Sequence, residues 1–455
     1  MSTHTSYADW KDLDPDQNLQ KKSPTAGMAG MVEMWPSRGV EDGIDAAQGA
    51  ELALEQDDPI YQAINDPQPL ETGPYNSGTG GEKLTREQTA HYFANTYRVP
   101  ATLSNTFLVQ ALGRTGVFIA GFQEMAYQQT QKIIQRKVGV HKPLVLLSKD
   151  HWKTLSDSAE SCGLTVKTFD SRNPDPAEAI LAALDEVDPR HVGGILLNYP
   201  LNPLSTEISV EQMKRIVDKV SELNRQDNVN IQLLFDIPYT FACQMMTDDK
   251  GRFLNSGFQH VLDDIDNVDY SIVNSFSKFF SLARTGATAI VVNQERAAGL
   301  EKRLGDFGPG VARNNTYIRN VANLLGGDHD DLLWARSEAV GDRYGGTREL
   351  LVDTFGDEII NGGSGMLALQ ERSVHMLFNR VVTSSDGQDR LITNGDHVVT
   401  HLWDKHHVAL VNCGVQNEKL GIRYAGRNEL PVAEQLVQRV KTALDEIDNA
   451  PTVHI

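Results

Sequence analysis

Cysteine is scarce in this chain: three in 455 residues, Cys162, Cys243 and Cys413, all far apart. An odd, sparse set with no Cys-x-x-Cys pair supplies neither a disulfide framework nor a zinc signature. It suits a reducing cytosol, so a cytoplasmic location is expected. No run of about 18 apolar residues exists, so no spanning helix is expected. The opening Met1-Ser2-Thr3-His4-Thr5 lacks the charged-then-apolar order of a signal peptide. Positive charge is also in the minority. The 42 Lys and Arg against 61 Asp and Glu leave a formal charge of −19 and a pI near 5.1. Nucleic-acid binding needs a basic face, and an anionic membrane surface attracts one, so neither partner is expected. A small anionic substrate stays open, because local arginines act inside an acidic shell. Internal repeats and low-complexity tracts are missing as well.

What is there is an ordinary globular composition, 40% hydrophobic, long enough for two to three domain-sized units. Residues 1 to about 30 are polar and irregular and read as an arm or frayed tail. Residues 40–66 are acidic and helix-permitting. The prolines Pro67, Pro69 and Pro74 and the run Asn76-Ser77-Gly78-Thr79-Gly80-Gly81 punctuate the chain before a helix that opens at Leu84 and runs to Tyr97. Between about 100 and 300, short apolar runs alternate with helical patterns. The runs are 143–147, 193–198, 231–236, 270–274 and 287–292; one helical pattern spans Val210 to Leu223. Apolar strands alternating with helices predict an α/β large domain whose mostly parallel sheet is covered by helices. Ligands of such sheets sit beyond the carboxyl ends of the strands. After Gly326-Gly327 the pattern changes to a long helix over 328–360. Mixed strands and helices follow, closing with an amphipathic helix near 431–447, which predicts a smaller α+β domain. The expected division is 1–70 for the N-terminal arm and part of the small domain, 71–327 for the large domain, and 328–455 for the rest of the small one.

Chemistry-bearing residues fall at the predicted strand ends. Ser275-Phe276-Ser277-Lys278-Phe279-Phe280-Ser281-Leu282-Ala283-Arg284-Thr285-Gly286 joins two strands. A lysine there is poised over a cofactor, and one that forms a Schiff base needs a lowered pKa. Ser275, Ser277 and Arg284 suit a phosphate ester, which accepts several hydrogen bonds. The competing reading is a surface loop with an ordinary lysine. Asp236, in Phe235-Asp236-Ile237-Pro238-Tyr239, ends an apolar strand, an expensive place for a bare carboxylate. A protonated pyridine nitrogen would offset that cost, and Tyr239 could reach a phenolic oxygen on the same ring. The competing reading is an Asp that caps a turn. Asn198-Tyr199-Pro200-Leu201-Asn202-Pro203-Leu204-Ser205 is a rigid turn able to fix a side-chain amide, or else a plain proline turn.

In that order and spacing, Asn202, Asp236, Tyr239, Ser275, Ser277 and Lys278 resemble the fold-type-I, class I and II aminotransferase family of pyridoxal 5'-phosphate (PLP) enzymes, the aspartate-aminotransferase-like group. The resemblance covers about residues 70 to 430. It implies that Lys278 carries PLP as a Schiff base and Asp236 holds the pyridine nitrogen. Asn202 and Tyr239 then bind the ring oxygen, and Ser275, Ser277 and Arg284 bind the phosphate. It further implies a phosphate cradle at Gly113-Arg114-Thr115-Gly116, before a helical run, where the plainer reading is a turn. Trp152, in Ser148-Lys149-Asp150-His151-Trp152, becomes the ring that stacks on the pyridine, where the plainer reading is a core Trp. Tyr75 becomes the residue that reaches the phosphate of the neighbouring subunit in a homodimer with a shared active site. Arg423, in Leu420-Gly421-Ile422-Arg423-Tyr424-Ala425, interrupts an apolar strand and so needs an anionic partner. It resembles the arginine that clamps the substrate α-carboxylate, with a structural ion pair as the alternative. Arg313 falls where aspartate aminotransferases place a second carboxylate-binding arginine.

Two features depart from the family pattern. Arg284 comes six residues after Lys278, closer than usual, and the Asn-Pro-Thr-Gly turn reads Asn202-Pro203-Leu204-Ser205, without its glycine. The expected activity is transamination of an amino acid to a 2-oxo acid. The alternative is β- or γ-elimination, γ-substitution, cyclisation or carbon–carbon bond formation on an S-adenosylmethionine-like substrate. A ligand-sensing regulator on the same fold would need a basic DNA-binding domain that this acidic chain lacks. No metal is expected. Asp328-His329-Asp330-Asp331 reads as an acidic helix start, and His406-His407 has no third ligand nearby in sequence. The stretch from Ser77 to Gly81 lacks the Gly-Lys-Ser/Thr of a nucleotide-binding P-loop.

Overall fold

The computed structural model describes residues 5–7, 9–10, 13, 24–48, 54–66, 83–97, 99–110, 113–136, 142–226, 229–239, 268–280, 286–306, 316–360 and 366–453. The chain divides into two compact units, Glu51–Ala339 and Met1–Ala50 with Val340–Ile455. The second unit takes in the N-terminal segment as well as the C-terminal part.

The larger unit is built on a seven-stranded sheet. Its strands are β1 (Thr106–Val109), β2 (Leu144–Ser148), β3 (Thr165–Phe169), β4 (Val192–Asn198), β5 (Gln232–Asp236), β6 (Tyr270–Ser275) and β7 (Thr288–Val292). Their order across the sheet is β1-β7-β6-β5-β4-β2-β3. All neighbours pair in parallel except β7, which runs antiparallel to both β1 and β6. This is the α/β large domain with a mostly parallel sheet that the apolar runs imply. Every residue of β4, β5, β6 and β7 is buried, as strands covered on both faces must be. The helix α1 (Gly113–Arg136) lays Val117, Phe118 and Phe122 against Val145, Leu196, Leu234 and Val273 of the sheet. Helix α2 (Val210–Gln226) repeats the device, with Met213, Ile216, Val217 and Val220 on one buried stripe.

Two strands escaped the sequence reading. β1 is only four residues long, and the edge strand β3, whose residues Thr165 and Thr168 are exposed and whose Lys167 breaks the apolar run, carries no continuous hydrophobic signal. The long helix expected over 328–360 is α3 (Asp330–Phe355), with Asp330 and Asp331 in its first turn, where acidic groups favour a helix start.

The second unit holds two three-stranded sheets. One joins Leu367–Ser373, Lys419–Ala425 and Val411–Gln416 in antiparallel register. Helices α4 (Gly395–His406) and α5 (Leu430–Asn449) pack against each other, and both contribute to the core through Val398, Leu402, Leu436 and Val440. The N-terminal segment is not a frayed tail where it is described. Thr5–Ser6 adds a parallel strand beside Arg390 and Leu391, and Tyr7, Trp10, Met28 and Met31 are buried. A few large side chains, spaced too widely to show a period, anchor it. Among the described residues no helix is long and apolar enough to cross a membrane.

Candidate functional site

In the larger unit the parallel strands end in register. Asn198, last in β4, pairs with Asp236, last in β5, and Asp236 pairs with Val273 of β6. Polar residues at the ends of apolar strands are thereby brought side by side. Asp236 is fully buried. One carboxylate oxygen accepts from Asn198 Nδ2 at 2.7 Å, and the other accepts from Arg114 Nη1 at 3.1 Å. Burial pushes the Asp236 carboxyl up, and the charges of Arg114 and Lys278 together with the Asn198 bond pull the other way.

Arg114 reaches Asp236 from the first turn of α1. Its guanidinium also lies over the Trp152 ring, 4.8 Å from the centroid. Expected beside a phosphate, it rests instead between the two residues assigned to a pyridine ring. Trp152 ends the loop after β2 and packs against the large-unit core. Thr115, next to Arg114, is half-buried.

Lys278 lies three residues beyond β6 in the short helix Phe276–Phe279, which Ser275 caps by accepting from Ser277 N–H at 3.3 Å. The two hydroxyls of Ser275 and Ser277 are bonded at 3.0 Å. Lys278 is half-buried, with Nζ 5.9 Å from the centroid of the buried Tyr239 ring. Two glycines, Gly286 and Gly113, come into close backbone contact. Gly286 has φ +67, and a Cβ there would stand 2.4 Å from the Gln110 carbonyl oxygen. Gly113, also left-handed, opens α1 against the Gly286 backbone. Gly286 is thereby held against the start of the helix that carries Arg114.

Asn202 is held by its backbone N–H, which donates to Asn198 Oδ1 at 3.1 Å. Asn198 therefore ties Asp236 to the Asn202 turn. Ser205, where the family turn carries glycine, has φ +52, a left-handed conformation that glycine adopts freely. A second residue outside the expected set is Asn274 in β6. Its amide donates to the hydroxyls of Tyr92 at 2.8 Å and Tyr97 at 3.0 Å, fixing the strand end from which Lys278 projects. Both asparagines carry the signal that singled out Asp236, a polar residue at the end of an apolar strand.

The larger unit thus gathers Arg114, Thr115, Trp152, Asn202, Asp236, Tyr239, Ser275, Ser277 and Lys278. Arg423 belongs to the other unit, on Lys419–Ala425, where Nη2 donates to the Ala47 carbonyl at 2.8 Å. Tyr75, Arg284 and Arg313 lie outside the described residues.

The sequence profile of the family described as "Aminotransferase class I and II" matches residues 126–426. A search of curated proteins finds no match. Among solved structures, the aspartate aminotransferase of Rhizobium meliloti superposes with a TM-score of 0.67 at 15% identity, covering 95% of this chain and 99% of its own. The aspartate aminotransferase of Thermotoga maritima gives 0.67 at 15%, covering 93% and 97%. An Escherichia coli protein with a methionine aminotransferase function gives 0.65 at 14%, covering 92% and 97%. At such identities the likeness establishes the fold alone.

Proposed function

Because this chain belongs to the aminotransferase class I and II family, and is a PLP-dependent transferase, we propose that it transfers the amino group of an amino acid to give a 2-oxo acid, with Lys278 as its cofactor-bearing and proton-moving residue. The site fits the cofactor on one observation. A buried carboxylate and an indole face together hold a flat cation, the Arg114 guanidinium. A protonated pyridine ring is likewise flat and singly positive. Asp236, whose isolated burial would be costly, suits either cation.

In this reading Asp236 keeps the ring nitrogen protonated, and Asn198 fixes the carboxylate that does so. Trp152 sets the plane of the ring. Asn202 and Tyr239 bind its oxygen. Ser275, Ser277, Thr115, Arg114 and, beyond the described residues, Arg284 take the phosphate, with Tyr75 reaching the neighbouring subunit of a homodimer. When bound, PLP supplies an electron sink for the pair left behind as the substrate α-proton departs. Lys278 Nζ would take that proton and hold it for return, a general base and acid at close range. A lysine base must spend part of the cycle uncharged. Arg423 binds the substrate carboxylate as a bidentate fork, and Arg313 takes a second carboxylate if the side chain carries one. The sparse cysteines, Cys162 and Cys413 being free thiols, fit a cytoplasmic enzyme.

The test is product formation. The purified protein, incubated with PLP, a panel of amino acids and a 2-oxo acid acceptor, is expected to form a new 2-oxo acid and a new amino acid in equal amounts. Release of a leaving group with no amino transfer would contradict the proposal.

A further inference from the structure

The smaller unit carries a second polar cluster with no part in the proposed transfer. His401 and His406 lie on α4, and Glu446 lies on α5. His406 Nε2 is 3.2 Å from Glu446 Oε2, and His401 Nε2 is 4.0 Å from the same oxygen. One ligand atom from each of the three falls within 4.8 Å of the others. The two imidazoles meet edge to face with centroids 5.2 Å apart. His401 is fully buried, and its Nε2 has no hydrogen-bond partner. Buried polar atoms are rarely left so, and each exception needs a cause.

His401 Nδ1 is 2.9 Å from the Tyr7 hydroxyl, which donates its proton to Asp404 at 3.3 Å. The Nδ1 side of the ring is thus engaged, and Nε2, which has no hydrogen-bond partner, faces Glu446. The other Glu446 oxygen is engaged by Lys405. Two imidazole nitrogens and a carboxylate oxygen thus converge on one point.

We propose that His401, His406 and Glu446 bind one divalent transition-metal ion through Nε2, Nε2 and Oε2, zinc(II) by ligand type. Two nitrogens and one oxygen suit zinc, whereas calcium and magnesium require oxygen ligands. Zinc bonds of about 2.0–2.2 Å in a tetrahedron place ligand atoms about 3.3–3.5 Å apart. The His406–Glu446 spacing already meets this, and His401 closes the remainder by a small side-chain rotation. Water takes the fourth position on the partly exposed Glu446 side. The Asp404–Tyr7–His401 relay is the outer shell that orients a metal-bound imidazole, and Lys405 does the same for Glu446. Read along the chain, His406-His407 looks like the pair. The fold separates them, because His407 ends α4 in a left-handed conformation and turns to Asp42 at 3.0 Å. The ligands come from one helical turn earlier and from a helix forty residues on.

The experiment uses the untagged, PLP-loaded full chain, stripped with a chelator and titrated with zinc sulfate by calorimetry, with cobalt(II) as a visible probe. The expected result is one equivalent of zinc per chain, a higher unfolding temperature, and cobalt bands of tetrahedral type. His406→Ala and Glu446→Gln each lose more than about 100-fold in zinc affinity, and Tyr7→Phe loses about 10–100-fold. The conservative Glu446→Gln and Tyr7→Phe keep volume and burial, so they report on binding even if His406→Ala folds poorly. Failure to bind one equivalent, or affinity unchanged in these variants, overturns the proposal. Transaminase activity without zinc binding overturns this inference while leaving the PLP reading intact.

Discussion

Asp236 and His401 are both fully buried, one in each unit, yet the chain treats them oppositely. Around Asp236 each oxygen has a partner within the unit, Asn198 on one side and Arg114 on the other. Around His401 one nitrogen is bonded to Tyr7 and the other to nothing. The difference follows from charge. A buried carboxylate without a cation costs several kcal/mol, so the sequence must supply one, and Arg114 does. A neutral imidazole costs about 1–3 kcal/mol when one atom stays unsatisfied, which a fold can carry until a cation arrives. The first cluster holds its own stand-in for a ligand, and the second is arranged to receive one.

The largest effect that sharpens this contrast lies beside Asp236. Lys278→Ala is expected to reduce 2-oxo acid formation by at least about 10²–10⁴-fold, the usual share of a positioned acid–base group, as read by steady-state kinetics. Next comes the ion pair. In the PLP-free chain, Arg114→Met leaves Asp236 buried without its cation and is expected to cost about 3–5 kcal/mol in urea unfolding. The sign of its pH dependence is fixed. Burial already raises the Asp236 carboxyl above 3.8, and losing Arg114 raises it further. The folded variant therefore holds its proton to higher pH than the unfolded chain. Its deficit relative to the parent should be small near pH 4 and grow as pH rises. A deficit independent of pH would break the comparison. Asn198→Ala removes both an Asp236 bond and the Asn202 anchor, and about 1–3 kcal/mol is expected. The smallest effect belongs to the other cluster. In the metal-free chain Tyr7→Phe should cost only about 0.5–1.5 kcal/mol, far less than its effect on zinc affinity.

The site in the larger unit was legible because it repeats one signal. Asp236 and Lys278 stand at or just past the ends of apolar strands, where a bare charge is costly. Asn198 and Asn274 carry that signal more weakly, being neutral, and were passed over. The position of Arg114 was not legible, since a sequence states neither the reach nor the direction of a guanidinium. The sheet was legible in its inner strands and illegible at its two edges, where β1 has only four residues and β3 mixes Thr and Lys with its apolar residues. The N-terminal segment misled because Tyr7, Trp10 and Met28 anchor it without any period. The His401 cluster was hidden by distance along the chain and by the adjacent His407, which draws the eye and points elsewhere.

The central claim is that Lys278 carries PLP. It is tested most directly by reducing the PLP-loaded protein with borohydride and locating the trapped cofactor by peptide mass spectrometry. A single modification at Lys278, accompanied by loss of the yellow absorbance and absent from Lys278→Ala, is the expected result. Modification at another lysine, or none in a protein supplied with PLP, would contradict the account.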